Sequence, residues 1–380
     1  MSDLVARVSG MRFVATADWQ LGMTAHYLGA EARPRFAQAR VDVIRRIGRV
    51  AVEHDAQFVL VCGDVFESNQ LDRLVIARAF DALDDVPVPV WLLPGNHDPL
   101  DASSLYRSRE FLDACPPHVH VLDRPGVHEA APGIEIVAAP WFGKSPLSDL
   151  VADALADVPA ADGVLRVVAG HGTTLGIDRD DPAGISETAL IDAFDDGRAH
   201  VAIIGDRHST TRVHERIWYP GAPEVTHRRE VDPGNVLVVD VDEHDIDVRT
   251  VPVGIWRFVR HDAAVDSLDD VERLHEWLGA QPAKAVTAVW LALTGTLTVG
   301  AKARLDDVLE AAGDLYARVD LWQRHTDLVV LPAEGEFDEL GLSGFAQQAV
   351  DELVARLEGD EGQAARDALG LLYRLSRGGV

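Results

Sequence analysis

The sequence contains few of the features that mark secreted or membrane-spanning proteins. Only two of its 380 residues are cysteines, Cys62 and Cys115, and they form no CxxC pair. A disulfide framework and a thiolate zinc site are therefore not expected, and a reducing compartment, the cytoplasm, is predicted. The N-terminus lacks the apolar core of a signal peptide. No run reaches the roughly 18 apolar residues that cross a bilayer, so membrane insertion is not expected.

Positive charge is also scarce. The chain has 62 acidic and 35 basic residues, which gives a formal net charge of −27. Affinity for DNA depends on basic residues that neutralise phosphates, so composition alone favours an acidic enzyme with small-molecule substrates. Divalent metal ions or a basic partner subunit could supply positive charge where a phosphate binds. Charge alone therefore leaves both substrate classes open.

Short apolar runs alternate with helical patterns over the first 250 residues. Seven runs rich in Val, Ile and Leu show little alternation, which is typical of strands buried on both faces; they cover residues 12–17, 58–62, 90–94, 134–139, 165–169, 201–204 and 236–241. Apolar residues recur at helical spacing over 35–54 and 73–83. Strands that alternate with helices predict a layered α/β domain over residues 1–250.

The pattern changes after residue 250. Alternating strands and helices at 256–261, 267–278, 285–293, 301–312 and 317–322 predict a small α+β domain over 251–332. A linker is predicted at 333–344, followed by a tail, 345–380, with two amphipathic helices at 345–357 and 361–375. The apolar faces of these helices must be buried, either on the parent body or on a partner helix.

Polar residues follow the carboxyl ends of successive predicted strands. In chain order they are Asp18 and Gln20, Asp64, Asn96 with His97 and Asp98, His171, and Asp206 with His208. Several follow a glycine, which lets the backbone turn sharply and approach a metal or phosphate. One such turn alone is more often an ordinary hydrogen-bonded turn. Five of them in order predict one site, because strand ends converge at one sheet edge.

The residue types in these turns favour metal-assisted phosphoryl chemistry. Carboxylate and amide oxygens mixed with imidazole suit Mn²⁺, Fe²⁺ or Zn²⁺ better than Ca²⁺. A carboxylate such as Asp64 can bridge two cations about 3.5–4 Å apart, the spacing used for in-line displacement at phosphorus. The sequence therefore predicts a phosphoesterase with two divalent metal ions, with Mn²⁺ preferred and Mg²⁺, Fe²⁺ or Zn²⁺ as alternatives.

With these motifs the chain resembles the calcineurin-like metallophosphoesterase superfamily. Within it, the chain looks most like the SbcD-like DNA repair exonucleases, the nuclease subunits of double-strand-break repair complexes, at residues 63–68, 93–99 and 219–224. The resemblance implies a four-layer αββα sandwich, a small α+β capping domain and a C-terminal helical pair. It also implies DNA as a partner, an SMC-like (SbcC-type) ATPase subunit docked on the tail, and a homodimer.

The resemblance further implies a role for each site residue. One ion would be held by Asp18, Gln20, Asp64 and His208, and the other by Asp64, Asn96, His171 and Asp206. His97 would protonate the leaving oxygen, and Asp98 would orient His97 through a hydrogen bond.

Three positions depart from the family pattern. Gln20 and Asp206 stand where histidines are usual, and the added charge of Asp206 favours Mn²⁺ or Mg²⁺ over zinc. Gln20, a neutral donor, is expected to weaken binding at its ion. Glu67 stands where some relatives have a histidine that positions the DNA end.

Three functions follow from these observations. The leading hypothesis is a metal-dependent DNA exonuclease or endonuclease in double-strand-break repair. The alternatives are a phosphodiesterase or phosphatase for a small molecule, and a non-catalytic DNA-end-binding scaffold with a degenerate metal site. A basic strip beside the metals would favour DNA. The candidates for it are Arg207, Arg212, Arg228 and Arg229.

Overall fold

The computed structural model describes residues 10–175, 183–242, 245–331 and 344–356, and positions 362, 364, 365, 368, 369, 371 and 372. The chain divides into two compact units. The N-terminal unit contains Met1–His26 and Arg33–Trp256, and the C-terminal unit contains Tyr27–Ala32 and Arg257–Val380.

The N-terminal unit is built on two six-stranded sheets. The strands are β1 (Met11–Thr16), β2 (Phe58–Cys62), β3 (Val90–Leu93), β4 (Val119–Val121), β5 (Gly126–Ala131), β6 (Ile134–Ala138), β7 (Leu165–His171), β8 (Thr174–Leu175), β9 (Ile185–Ser186), β10 (Val201–Gly205), β11 (Thr211–His214), β12 (Ile217–Tyr219), β13 (Asn235–Val241) and β14 (Ile246–Pro252). The first sheet has the order β14-β13-β1-β2-β3-β4 and the second β11-β12-β10-β7-β6-β5, while β8 and β9 pair separately. All seven predicted strands are present.

The helices of this unit cover the outer faces of the two sheets. They are α1 (Ala32–Glu53), α2 (Arg73–Asp84), α3 (Arg109–Ala114), α4 (Leu150–Leu155) and α5 (Glu187–Asp195). The first three pack on the first sheet, where the α1 stripe buries Ile44 and Ile47. The last two pack on the second sheet through Val151 and Leu190. Full burial of such a side chain stabilises the fold by about 1.5–3 kcal/mol.

The two sheets face each other across an apolar layer. Successive residues of a strand point to opposite faces, so Phe13 faces the second sheet while Val14 faces the helices. Phe13 stacks on Phe58 of the neighbouring strand with 5.0 Å between ring centroids. Helices, sheet, sheet and helices therefore form the predicted four-layer αββα sandwich.

The C-terminal unit is a smaller parallel sheet with helices. Its elements are β15 (Arg257–Ala264), α6 (Leu268–Ala280), β16 (Thr287–Thr298), α7 (Val299–Gly313), β17 (Arg318–Leu321), β18 (Asp327–Leu331) and α8 (Phe345–Ala355). β16 pairs in parallel with β15, β17 and β18. Ser267 and Asp270 have the spacing of a capping box, and α6 begins there: Oγ of Ser267 accepts from the Asp270 amide at 3.2 Å, and the Asp270 carboxylate accepts from the Asp266 amide at 3.1 Å.

Two described apolar residues of the tail are buried within the C-terminal unit. Val350 of α8 and Leu369 are each 1% exposed and pack with Val329 and Leu331 of β18. The predicted linker at 333–344 lies outside the described residues except for Gly344. Within the described part of the chain, every helix is too short or too polar to cross a membrane.

Candidate metal centre

The candidate site lies where strands of both sheets end together. Asp18 follows β1 and Asp64 follows β2 in the first sheet, while His171 ends β7 and Asp206 follows β10 in the second. The Asp18 amide donates to the carbonyl of Gly63 at 3.0 Å, and the Asp206 amide donates to the Asp18 carboxylate at 3.1 Å. The first bond joins neighbouring strand ends of the first sheet, and the second joins the strand ends of the two sheets.

The backbone at the candidate ligands adopts a conformation that non-glycine residues rarely take. Six non-glycine residues of the described chain have a positive φ, and four of them are candidate ligands: Asp18 (55°), Gln20 (44°), Asp64 (52°) and Asp206 (88°). Left-handed residues of this kind cluster at functional sites, where the surrounding structure imposes them. Here they turn the chain sharply after each strand.

Two glycines in these turns are required by close approach. A Cβ atom on Gly63, whose φ is +88°, would overlap Nδ1 of His171. A Cβ atom on Gly205 would overlap the carbonyl oxygen of Cys62. The sequence pattern of a glycine before a polar residue therefore has the predicted physical cause, since only glycine lets the strand ends come this close.

One group of donor atoms surrounds the imidazole of His171. Its Nε2 atom lies 2.8 Å from Oδ1 of Asn96, 3.4 Å from Oδ1 of Asp64 and 3.9 Å from Oδ1 of Asp206. Its Nδ1 atom lies 2.9 Å from the carbonyl oxygen of Cys62, to which it donates. In the neutral ring this bond directs the Nε2 lone pair into the donor group, as a metal ligand requires.

A second group adjoins the first. Nε2 of His208 lies 4.0 Å from Oδ1 of Asp18 and 3.4 Å from Nε2 of Gln20, and a half-turn of the Gln20 amide brings its oxygen to that position. Ligand atoms of Asp18, Asp64 and His171, all buried, lie within 4.8 Å of one another. The structure thus brings all seven predicted ligands together at one edge.

The donor types at this edge support a cation between them. The Asn96 amide lies about 3.1 Å from both Asp64 carboxylate oxygens and 2.8 Å from Nε2 of His171. Carboxylate, amide and imidazole donors that converge in this way are the arrangement around a divalent metal ion. Octahedral ligands about 2.1 Å from an ion lie about 3 Å apart. The donor set therefore fits a divalent ion.

The electrostatics of the site favour a bound cation. Burial raises the pKa of Asp18 to about 7. Burial alone would lower the pKa of His171, but the carboxylates of Asp64, Asp18 and Asp206 outweigh it and raise that pKa to about 10. The same carboxylates that hold a proton on His171 would hold a metal ion, and metal binding would release that proton.

His97 lies on the open side of the donor groups. Its side chain is 39% exposed and its Nε2 atom is 4.0 Å from Oδ2 of Asp64, while the His97 amide donates to Oδ1 of Asp64 at 2.9 Å. Its Nδ1 atom lies 3.0 Å from the main-chain carbonyl of Glu67. A general acid at this place is reachable from solvent and held by the backbone.

The contacts of Asp98 differ from the prediction that it orients His97. Its fully buried carboxylate accepts from the amides of Gly95 at 2.7 Å and Phe66 at 3.0 Å, and from the Tyr106 hydroxyl at 2.6 Å. Neighbouring residues of this turn point in different directions, so Asp98 faces the interior while His97 faces the open side. The main-chain carbonyl of Glu67 orients His97 instead, and Asp98 ties together the two ligand-bearing turns.

Sequence reasoning did not identify the groups that support His208. Its Nδ1 atom lies 2.6 Å from Oγ1 of Thr226 and 3.0 Å from Oε1 of Glu230. The Glu230 carboxylate also accepts from the amides of Thr226 at 3.0 Å and His227 at 2.9 Å. A carboxylate that receives the outer proton of a ligating histidine fixes its tautomer and raises its basicity. No local sequence motif indicates that Thr226 and Glu230 contact His208.

The four arginines proposed for DNA contact occupy two kinds of position. Arg207 stands between Asp206 and His208 and is exposed. Arg228 and Arg229 lie in the turn before Glu230, the residue that contacts His208. Arg212 lies on β11, where its guanidinium packs 5.5 Å from the Trp218 ring centroid.

Several solved structures are similar to part of this chain at low sequence identity. The chain is similar to a dimetal phosphatase from Danio rerio, with 15% identity, a TM-score of 0.40 and coverage of 64% of this chain and 96% of that one. It is similar to the TT1561 protein of Thermus thermophilus at 10% identity, TM-score 0.39 and coverage of 64% and 99%. It is also similar to the purple acid phosphatase PPD1 of yellow lupin, with 14% identity, a TM-score of 0.39 and coverage of 64% of this chain and 52% of that one.

The match of the sequence to a family model identifies the family of this chain. No curated protein matches the chain significantly. Residues 11–239 match the calcineurin-like phosphoesterase family, which is more than half of the chain and includes every candidate ligand. The chain therefore belongs to the calcineurin-like phosphoesterases and is a hydrolase that acts on ester bonds.

Proposed function

We propose that this chain is a metal-dependent DNA nuclease of double-strand-break repair that works with an SMC-like ATPase. The observation that carries its phosphodiesterase chemistry is the convergence of seven candidate ligands in two adjoining groups, one around His171 and one around His208, with His97 on their open side. Arg207, Arg228 and Arg229 beside His208 support a polyanionic substrate. The likeness of its motifs to the SbcD-like exonucleases supports DNA in particular.

The proposed chemistry divides between the metal ions and the protein. Two divalent ions held by these residues would supply a hydroxide at neutral pH and neutralise the phosphate oxygens. His97 donates Nδ1–H to the Glu67 carbonyl, which leaves Nε2 toward the reacting phosphate. When the ring is protonated, Nε2 can give its proton to the leaving oxygen. Asp98 keeps the turn that carries Asn96 and His97 against the turn that carries Asp64.

DNA hydrolysis tests the proposal directly. The purified protein with Mn²⁺ is expected to degrade linear duplex or single-stranded DNA, and the SMC-like ATPase is expected to raise the rate. The proposal fails if the protein hydrolyses a small phosphodiester such as bis(p-nitrophenyl) phosphate but leaves both DNA forms intact with and without the ATPase.

A small-molecule phosphodiesterase or phosphatase is the second candidate. The net charge of −27 favours it, because a strongly acidic surface repels DNA. Competition separates the two: DNA at micromolar concentration should inhibit hydrolysis of bis(p-nitrophenyl) phosphate by a nuclease, and should leave a small-molecule enzyme unaffected.

A non-catalytic scaffold is the third candidate, motivated by Gln20 and Asp206 in place of the usual histidines. Elemental analysis after loading with Mn²⁺ distinguishes it. A scaffold with a degenerate site would retain less than about one ion per chain.

A further inference from the structure

Glu67 lies beside the general acid, three residues after Asp64. Its amide donates to the carbonyl of Leu21 at 3.0 Å, and its own carbonyl faces Nδ1 of His97 at 3.0 Å. The backbone of Glu67 is thus bonded on both sides and places its side chain next to His97. Among the departures from the family pattern, this is the one that adds charge next to the general acid.

The Glu67 carboxylate faces the open side of the site. Its side chain is 35% exposed, close to the 39% of His97, and its Oε1 atom lies 3.9 Å from Nδ1 of His97. Its Oε2 atom is shielded from solvent and has no hydrogen-bond partner among the described residues. The buried donor cluster contains Asp18, Asp64 and His171 and does not include Glu67.

The Arg40 guanidinium, which also acts on this carboxylate, is bonded to main-chain carbonyls. Arg40 acts on Glu67 through space, but its guanidinium donates to the carbonyls of Trp19 and Val225, each at 2.9 Å. Glu67 therefore presents negative charge to a ligand that approaches His97, with Oε1 as the oxygen on that side.

We propose that Glu67 is a specificity-determining residue that selects phosphodiester monoanions and rejects phosphomonoester dianions. This inference rests on the proposed function, because it requires the reacting phosphate to lie between the donor groups and His97. A diester has one ionised oxygen, which the metal side accommodates, whereas a monoester carries a second negative charge that faces Glu67. Repulsion between unit charges several ångströms apart near a protein surface changes affinity by about tenfold or more.

Binding of two small probes tests the inference without turnover. Methyl phosphate and dimethyl phosphate differ mainly in one charge, and their affinities are measured by calorimetry on the Mn²⁺-loaded protein in a His97→Ala background. Burial raises the pKa of Glu67, so the titrations are run near pH 8, where carboxylates and methyl phosphate are ionised. Glu67→Gln removes the charge and keeps the shape, and Glu67→Asp keeps the charge.

The expected result is a change in preference rather than in overall affinity. Glu67→Gln should lower the dissociation constant of methyl phosphate by about tenfold or more and change that of dimethyl phosphate by less than about twofold. Glu67→Asp should keep the relative affinity of the wild type for the two probes. The control Glu53→Gln removes one charge at the end of α1, before β2 begins, and should change neither. Equal shifts for both probes, or no shift, would overturn the inference. If the protein does not cut DNA but Glu67→Gln changes the relative affinity for the two probes as expected, the proposed nuclease function fails and the role of Glu67 stands.

Discussion

The Nδ1 atom of His208 lies 3.0 Å from Oε1 of Glu230. Glu230 is only 7% exposed, and it also accepts from two amides of the turn that leads to it. The carboxylate is therefore held in place before any metal binds. Because it accepts the outer proton of the imidazole, it keeps Nε2 directed toward Asp18 and Gln20, where the neutral Gln20 amide is the weakest of the predicted ligands.

Glu230→Gln is expected to weaken Mn²⁺ binding by about 10–100-fold, the usual cost of losing the carboxylate behind a ligating histidine. Calorimetric titration of the metal-free protein with Mn²⁺ measures this affinity. Of the two binding events, the weaker one should lose affinity. Glu215→Gln, in the exposed β11–β12 hairpin, is the matched control. Unchanged affinity at both events would show that Glu230 only stabilises its turn.

His97→Ala is expected to lower turnover of bis(p-nitrophenyl) phosphate by about 10²–10⁴-fold, the range for loss of a general acid. His97 Nε2 is 4.0 Å from the nearest Asp64 oxygen and belongs to neither predicted ligand set, so metal content should not change. Elemental analysis and the circular dichroism spectrum check metal and fold. His54→Ala, at the end of α1, should behave as the wild type. Loss of bound metal in His97→Ala would instead make His97 a ligand.

Glu224→Ala is expected to destabilise the N-terminal unit by about 3–5 kcal/mol, because it leaves Arg46 partly buried without its partner. The Glu224 carboxylate, 1% exposed, also accepts from the amides of Ile255 and Trp256 at 3.1 Å, the last residues of that unit. Chemical denaturation measures the loss. Asp81→Ala, which removes a 77% exposed partner of Arg45, should change little. A loss as small as that of the control would contradict the structural role.

The metal-free protein is expected to lose stability as the pH rises from about 4 to 7. Burial raises the pKa of Asp18 to about 7 and that of Asp98 to about 6. A carboxyl whose pKa is raised on folding favours the folded state below its unfolded pKa, and that contribution disappears as the pH passes the folded value. A tenfold change in an acid dissociation constant on folding corresponds to about 1.4 kcal/mol of stability.

Thermal melts of the metal-free wild type and of Asp18→Asn between pH 4 and 8 measure this effect. The wild type should lose more stability than the variant across that window, and Mn²⁺ should restore the wild type most at the upper end, where the carboxylates are ionised. Parallel pH profiles for the two proteins would show that Asp18 titrates normally.

Much of the fold was predictable because its signals are local. The run at 58–62 is uniformly apolar, and β2 is buried on both faces as that run predicts. The stripe of α1 and the Ser267–Asp270 spacing also depend only on neighbours in the sequence. The candidate ligands were predictable for a related reason, since each follows a recognisable strand and strand ends converge.

The groups around those ligands were not predictable, because no regular spacing in the sequence links them to their partners. Tyr106, within a short helical turn, contacts Asp98 eight residues earlier, and Glu230 contacts His208 through a turn without a regular pattern. Short strands such as β11 and β12 carry too few residues to show a period. The bond predicted between Asp98 and His97 was implied by the family resemblance, and adjacency in sequence does not fix the directions of the two side chains.

The left-handed backbone at four of the candidate ligands lowers the stability of the fold at positions that the activity requires. Each such non-glycine residue costs about 1 kcal/mol relative to glycine, and Gln20 gains least from the tolerance that Asp and Asn have for this region. A laboratory selection for heat resistance alone would therefore favour glycine at position 20, and would produce a more stable protein with a weakened metal site. A stabilised variant should therefore retain the residues at positions 18, 20, 64 and 206 and carry its substitutions elsewhere.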